Sequence, residues 1–255
     1  MDKQTVRDVD VSGKRALVRV DFNVPLNSET GEITDDSRIR ATLPTIDYLI
    51  DNNARVILCS HLGRPGGKVD KRLSLAVVAK RLSEIMRQPV QFTEDCVGAE
   101  VEEAAASLQD GDILLLENLR FHPEEEKGDL KFAQSLARLG DIFVNDAFGT
   151  CHRKHASIVA ITRYLKGVSG LLLEKEINSL GRVLESPPRP FAVLLGGAKV
   201  SDKVGMIDNI IDKVDYIIIG GGMAASFLKA QSYEVGLLPA PFYPFPGGAS
   251  LPARR

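Results

Sequence analysis

No apolar run in this sequence reaches the roughly 20 residues needed to cross a membrane, so no transmembrane span is expected. Met1 to Gly13 is charged and has no apolar centre, so no secretory signal peptide is expected there either. Cysteine is scarce. Cys59, Cys96 and Cys151 are scattered without CxxC spacing, which favours reduced thiols in a cytosolic protein over a disulfide frame or a zinc site. Net charge is small, formally −2, and gives no broad basic face for capturing nucleic acid, although local clusters remain compatible with it. There is no GxxxxGK[ST] P-loop and no GxGxxG fingerprint. No Ser/His/Asp arrangement or catalytic carboxylate pair stands out, and neither His122 nor the cysteines show metal-ligand spacing. What remains is an ordinary globular composition, 44% hydrophobic and 26% charged, over 255 residues, enough for one large domain or two modest ones.

Strand-like and helix-like segments alternate. Short apolar runs read as strands at Arg15–Asn23, Arg55–Ser60, Asp112–Asn118, Asp141–Asp146, Phe191–Leu195 and Tyr216–Ile219. Between them, Asp36–Asp51 sets Ile39, Leu43, Ile46 and Ile50 on one helical stripe, with Pro44 implying a first-turn position or a kink. Ser74–Gln88, Asp129–Leu139 and Leu171–Leu184 are further helices. This alternation predicts an α/β fold, with a Rossmann-like parallel sheet covered by helices on both faces. Pro187, Pro188 and Pro190 make a stiff boundary after the Leu171–Leu184 helix. Two strand–glycine–helix units follow, with helices at Ser201–Lys213 and Met223–Gln231. Leu237–Arg255 is proline-rich and lacks any period, so it reads as an unstructured tail.

Cationic residues recur where the strands end. Ser60 leads into His61 and Arg64, Asn118 into Arg120, and Asp146 into His152, Arg153, Lys154 and His155. In parallel sheets ligands sit at the carboxyl ends of strands, so cations gathered there point to a small phosphorylated anion. Arg38, starting a helix, joins them. Lys154 and His155 read as surface or supporting residues, and Glu124–Glu126 as a solvated loop or helix start. Asp21 and Asn23 lie two apart and suit a hydroxyl or carboxylate, or equally a turn or cap. Gly196-Gly197-Ala198-Lys199 before a helix suits a phosphate or nucleotide at backbone amides, or a tight turn with Lys199 in solvent. Gly220–Gly222 carries the same two readings.

Taken in order, Asp21-Phe22-Asn23-Val24-Pro25, Ser60-His61-Leu62-Gly63-Arg64-Pro65, Glu117-Asn118-Leu119-Arg120-Phe121, Asp146-Ala147-Phe148-Gly149-Thr150-Cys151-His152-Arg153, Gly196-Gly197-Ala198-Lys199-Val200-Ser201-Asp202-Lys203 and Gly220-Gly221-Gly222-Met223-Ala224 resemble the phosphoglycerate kinase family. The resemblance runs to about Gly236. It implies a phosphotransferase with a carboxyl acceptor, acting in glycolysis, cytoplasmic and monomeric, without nucleic-acid or membrane partners. Residues 1–170 would bind 3-phosphoglycerate or 1,3-bisphosphoglycerate, 171–189 would form an interdomain helix and hinge, and 190–236 would begin the lobe for Mg2+ with ATP or ADP. The resemblance further implies that Asp21 and Asn23 contact the glycerate, and that His61, Arg64, Arg120 and Arg153 hold its non-reacting phosphate. Arg38 would move onto the transferring group, Lys199 and Lys203 would approach the nucleotide phosphates, and Gly197 with Gly220, Gly221 and Gly222 would border the nucleotide.

The family pattern continues past Gly236 with further strands and helices, an acidic residue on the magnesium and a returning last helix. Here 237–255 takes their place and reads as a truncated or frameshifted end. An incomplete second α/β lobe without its metal ligand follows from that departure. So does an alternative reading, a catalytically inactive fragment that only binds 3-phosphoglycerate.

Overall fold

The computed structural model describes residues 3–185, 187–197 and 203–235. The predicted tail at 237–255, Lys199 and the first two residues of the helix expected at 201–213 lie outside them. The chain divides into two compact units, residues 1–178 and 179–255. The boundary falls inside the helix Leu171–Glu185.

The first unit is built on six parallel strands: β1 (Arg15–Arg19), β2 (Arg55–Cys59), β3 (Val90–Phe92), β4 (Ile113–Leu115), β5 (Ile142–Asn145) and β6 (Gly167–Ser169), in the order β3-β4-β2-β1-β5-β6. Its helices are α1 (Ser37–Asp51), α2 (Ala76–Met86), α3 (Ala99–Ser107), α4 (Pro123–Lys127), α5 (Leu130–Ala137) and the start of α6 (Leu171–Glu185). Successive strand residues point to opposite faces. Ala16, Val18, Val56, Leu58, Ile113 and Val144 therefore pack with Ile39, Ile46 and Leu49 of α1 and Val78 and Leu82 of α2. Leu17, Ile57, Cys59, Leu114 and Phe143 pack on the other face with Val101 and Ala105 of α3 and Phe132, Ala133 and Leu136 of α5. Both faces are buried, which is why the central strands carry continuous apolar runs.

The elements differ from their sequence-based bounds in ways that have local causes. β1 stops at Arg19 because the backbone leaves the ladder soon after. Val20 N–H still reaches the Cys59 carbonyl at 3.1 Å, but Phe22 N–H donates to Ser60 Oγ at 2.9 Å instead. Asp21 and Asn23 thus lie on a loop past the strand. Pro44 sits in the middle of α1, not in its first turn. It faces solvent, where the Arg40 carbonyl that loses a helical partner can meet water. β3 and β6, each three residues long at the sheet's edges, and α3, with only Val101 and Ala105 buried, carried too little periodic signal to be read.

The second unit contains β7 (Ala192–Leu195) parallel to β8 (Tyr216–Ile219), with α7 (Val204–Ile210) and α8 (Gly222–Ala230). Leu195, Ile207 and Met223 form its small core with Val193, Ile217, Ile219 and Phe227. Leu194, Tyr216 and Ile218, on the opposite face of the strands, are exposed.

Candidate anion site at the carboxyl ends of the strands

All six strands run the same way, so the loops after β1, β2, β4 and β5 emerge on one edge of the sheet. Hydrogen bonds tie three of these loops together. Asn23 Oδ1 accepts from Gly63 N–H at 2.8 Å, and Arg120 Nη1 donates to the Gly63 carbonyl at 2.8 Å. Asn118 Nδ2 donates to the carbonyls of Leu62 (2.8 Å) and Leu73 (2.9 Å), and Ser60 Oγ donates to the Val20 carbonyl at 2.9 Å. Gly63 can make this junction because its φ of +64° suits glycine, and a Cβ there would meet Leu73 Cδ2 at 2.8 Å.

His61 is buried within this junction. Burial, reinforced by the charges of Arg19 and Arg120, pushes its pKa down to about 2, so the ring is neutral. Its Nδ1 lies 3.2 Å from Arg19 Nη2. A guanidinium only donates, so Nδ1 accepts and the ring proton sits on Nε2. With its lone pair engaged, His61 is a hydrogen-bond donor and not a general base.

Arg120 is also buried, and burial lowers its pKa; Glu126 opposes that shift, while Arg153 and Arg19 add to it. Its Nε lies 3.1 Å from Glu126 Oε1 but is not aligned for a hydrogen bond. Arg153, half-buried after β5, depresses the proton affinity of both His61 and Arg120, which places the three within electrostatic reach of one another. The charged members, Arg120 and Arg153 with Arg19 beneath them, repel one another, and an anion relieves that repulsion. Arg64 is exposed on the β2 loop, without a partner among the described residues. Arg38, half exposed on the first turn of α1, is ion-paired with Asp21.

Beneath these residues lies a buried network that sequence reasoning missed. Arg19 is 1% exposed. It donates through Nε to Ser157 Oγ at 3.0 Å and through Nη1 to the Val20 carbonyl. Ser157 in turn donates from N–H and Oγ to Glu125, at 2.9 and 2.6 Å. Residues 124–126 do start a helix, in the first turn of α4, but Glu125 is fully buried, so the reading of a solvated segment fails at its central residue. Burial works to raise its pKa, but His155, Arg19 and Ser157 together hold it below the usual carboxylate value. His155 is likewise buried, with Nδ1 3.6 Å from Glu125 Oε1. The available signal was Arg19 itself, since a charge inside a strand buried on both faces needs a buried partner.

In the second unit, the ends of β7 and β8 carry the glycines. Gly220 N–H donates to the Leu195 carbonyl at 2.8 Å. Gly221 precedes α8 with φ +61° and ψ −148°, a conformation that glycine tolerates. A Cβ on Gly197, whose φ is +144°, would lie 3.5 Å from Lys203 Cε, so that lysine's chain runs beside the glycine turn.

An all-parallel α/β sheet with clustered cations on its carboxyl edge is an arrangement suited to a small anionic ligand. The family model of phosphoglycerate kinase matches residues 6–239. The chain belongs to the phosphoglycerate kinase family. It is 60% identical over 236 residues to the phosphoglycerate kinase of Pelotomaculum thermopropionicum, covering 92% of this chain and 60% of the relative. It is 58% identical to that of Moorella thermoacetica, with the same coverage. Among solved structures, it is similar to phosphoglycerate kinase from Coxiella burnetii, with TM-score 0.80, 39% identity and coverage of 91% of this chain and 58% of that one. It is also similar to the enzyme from Pyrococcus horikoshii, with TM-score 0.79 and 34% identity, covering 59% of that chain. The chain thus spans about 60% of the length of the curated relatives it matches.

Proposed function

We propose that this chain acts in reversible phosphoryl transfer between 1,3-bisphosphoglycerate and ADP, giving 3-phosphoglycerate and ATP. The carrying observation is the convergence of His61, Arg120 and Arg153 at the carboxyl ends of β2, β4 and β5. On this reading the His61 Nε2–H and the guanidiniums of Arg64, Arg120 and Arg153 hold the non-reacting phosphate. Arginine's forked donors suit a phosphate dianion. Asp21 and Asn23 face the glycerate end. Arg38 leaves Asp21 to meet the phosphoryl group in flight, where charge stabilisation and alignment supply the catalysis. The acceptor carboxylate is already ionised at neutral pH, so the chemistry needs no general base, and the donor-only state of His61 is consistent with that. Lys199, Lys203 and the glycines Gly197, Gly220, Gly221 and Gly222 would take the nucleotide.

Magnesium would shield the nucleotide's phosphate charge. The described ends of β7 and β8 hold no carboxylate, so they do not fit as its ligands. The free thiols support placement in the cytoplasm.

The test is a steady-state assay of ADP formation from ATP and 3-phosphoglycerate with the purified chain. Turnover that saturates in 3-phosphoglycerate is the expected result. Binding of 3-phosphoglycerate without turnover would instead leave a binding-only fragment.

A further inference from the structure

The loop after β3 and the turn after β4 are neighbours because their strands pair, and they bring together three side chains that sequence spacing keeps apart. A carboxylate oxygen of Asp95, Cys96 Sγ and a ring nitrogen of His122 all lie within 4.8 Å of one another. We propose that Asp95, Cys96 and His122 form a binding site for a borderline divalent cation of the zinc class.

The residues are held in place before any ion arrives. His122 Nε2 lies 2.7 Å from Asp95 Oδ1, and the same oxygen accepts from Cys96 N–H at 2.6 Å. Thr93 Oγ1 donates to the Asp95 carbonyl at 2.8 Å, fixing the loop. The His122 ring packs at a tilt on Phe132, centroids 5.2 Å apart, which limits its rotation. Cys96 forms the buried floor, His122 is partly exposed, and Asp95 stands at the exposed lip. An ion therefore has a path inward past the carboxylate.

The donor set selects the ion. One sulfur, one imidazole nitrogen and one carboxylate suit zinc and its soft neighbours, whereas magnesium and calcium require a shell of oxygens. Three protein ligands leave a fourth position for water. On loading, the S–H bond breaks and its proton goes to solvent. The Asp95–His122 hydrogen bond opens, the ring's Nε2 proton passes to solvent while solvent returns one to Nδ1, and the bared Nε2 takes the metal. No group changes oxidation state. The site lies outside the cation cluster and does not depend on the kinase reading.

Cobalt(II) is the spectroscopic probe, titrated into the untagged, reduced chain. A thiolate-to-cobalt charge-transfer band with the visible bands of a four-coordinate ion is expected. It should persist in Cys151→Ser, vanish in Cys96→Ser, and need at least roughly tenfold more cobalt in His122→Asn. Absence of the band at saturating cobalt, or its survival in Cys96→Ser, overturns the proposal. Should Cys96→Ser not fold, X-ray absorption on zinc-loaded Cys151→Ser decides. One sulfur with imidazole nitrogen in the shell supports the site, and a shell of only oxygen and nitrogen overturns it.

Discussion

At the scale of single residues, the site depends on how buried charges are neutralised and aimed. Arg19 fixes the His61 tautomer, and Glu125, through Ser157, supplies the negative charge that lets Arg19 stay buried. Glu125→Ala should therefore cost about 3–5 kcal/mol of stability by leaving Arg19 without its counter-charge, measurable by denaturant unfolding. His61 contributes a pH dependence of definite sign. Its pKa falls from the usual 6.5 when unfolded to about 2 when folded, so below pH 6.5 only the unfolded chain takes up this proton. Its share of stability is complete above pH 6.5 and is lost as pH falls. His61→Gln should remove up to about 1.4 kcal/mol per pH unit of that slope, read from unfolding between about pH 5 and 6.5. Glu125 has the same sign but acts only below its usual 4.5, outside that window. For Arg38, exposed and paired with Asp21, the effect should fall on turnover. Arg38→Ala in a full-length homologue should lower kcat by much more than it raises KM, and a change confined to KM would contradict its assigned role.

At the scale of elements, α6 is anchored by its N-terminus. Asp146 Oδ1 accepts from Leu172 and Leu173 N–H at 2.9 and 3.1 Å, and Thr45 Oγ1 of α1 accepts from Leu171 N–H at 2.9 Å. Gly170 makes room for this cap, since a Cβ there would fall 2.2 Å from Asp146 Oδ1. Gly170→Ala should destabilise by about 1–3 kcal/mol, lowering Tm in a thermal melt. Gly181→Ala, inside the same helix with no atom within 4 Å of the added Cβ, should stabilise by about 0.5–1 kcal/mol. Elements with long buried stripes, such as α1, α2 and β2, were legible in the sequence because periodicity follows burial. β3, β6 and α3 were not, because a three-residue edge strand and an Ala/Glu helix bury too few side chains to leave a pattern. The cations of the site were legible for a different reason, their placement straight after apolar runs. Their supporting network was not, since Arg19, Glu125 and Ser157 meet only once the sheet is assembled. Asp95, Cys96 and His122 escaped notice for the same reason.

At the scale of the whole molecule, the two units differ in how far they bury their sheets. The first covers both faces of six strands, while in the second α7 and α8 pack on the face whose core is Leu195, Ile207 and Met223. Exposed Leu194, Tyr216 and Ile218 should give the chain a surface that binds a hydrophobic dye such as ANS, and Ile218→Lys should reduce that fluorescence without lowering Tm. On the proposed function, the carboxyl edge of the six-stranded sheet binds a phosphorylated three-carbon acid. Calorimetric titration of 3-phosphoglycerate into the folded chain and into Arg120→Ala tests this most directly. Saturable one-to-one binding is expected, weakened roughly 10–100-fold in the variant by loss of a charge-assisted hydrogen bond. No binding by a chain shown to be folded, or equal affinity in Arg120→Ala, would contradict the assignment.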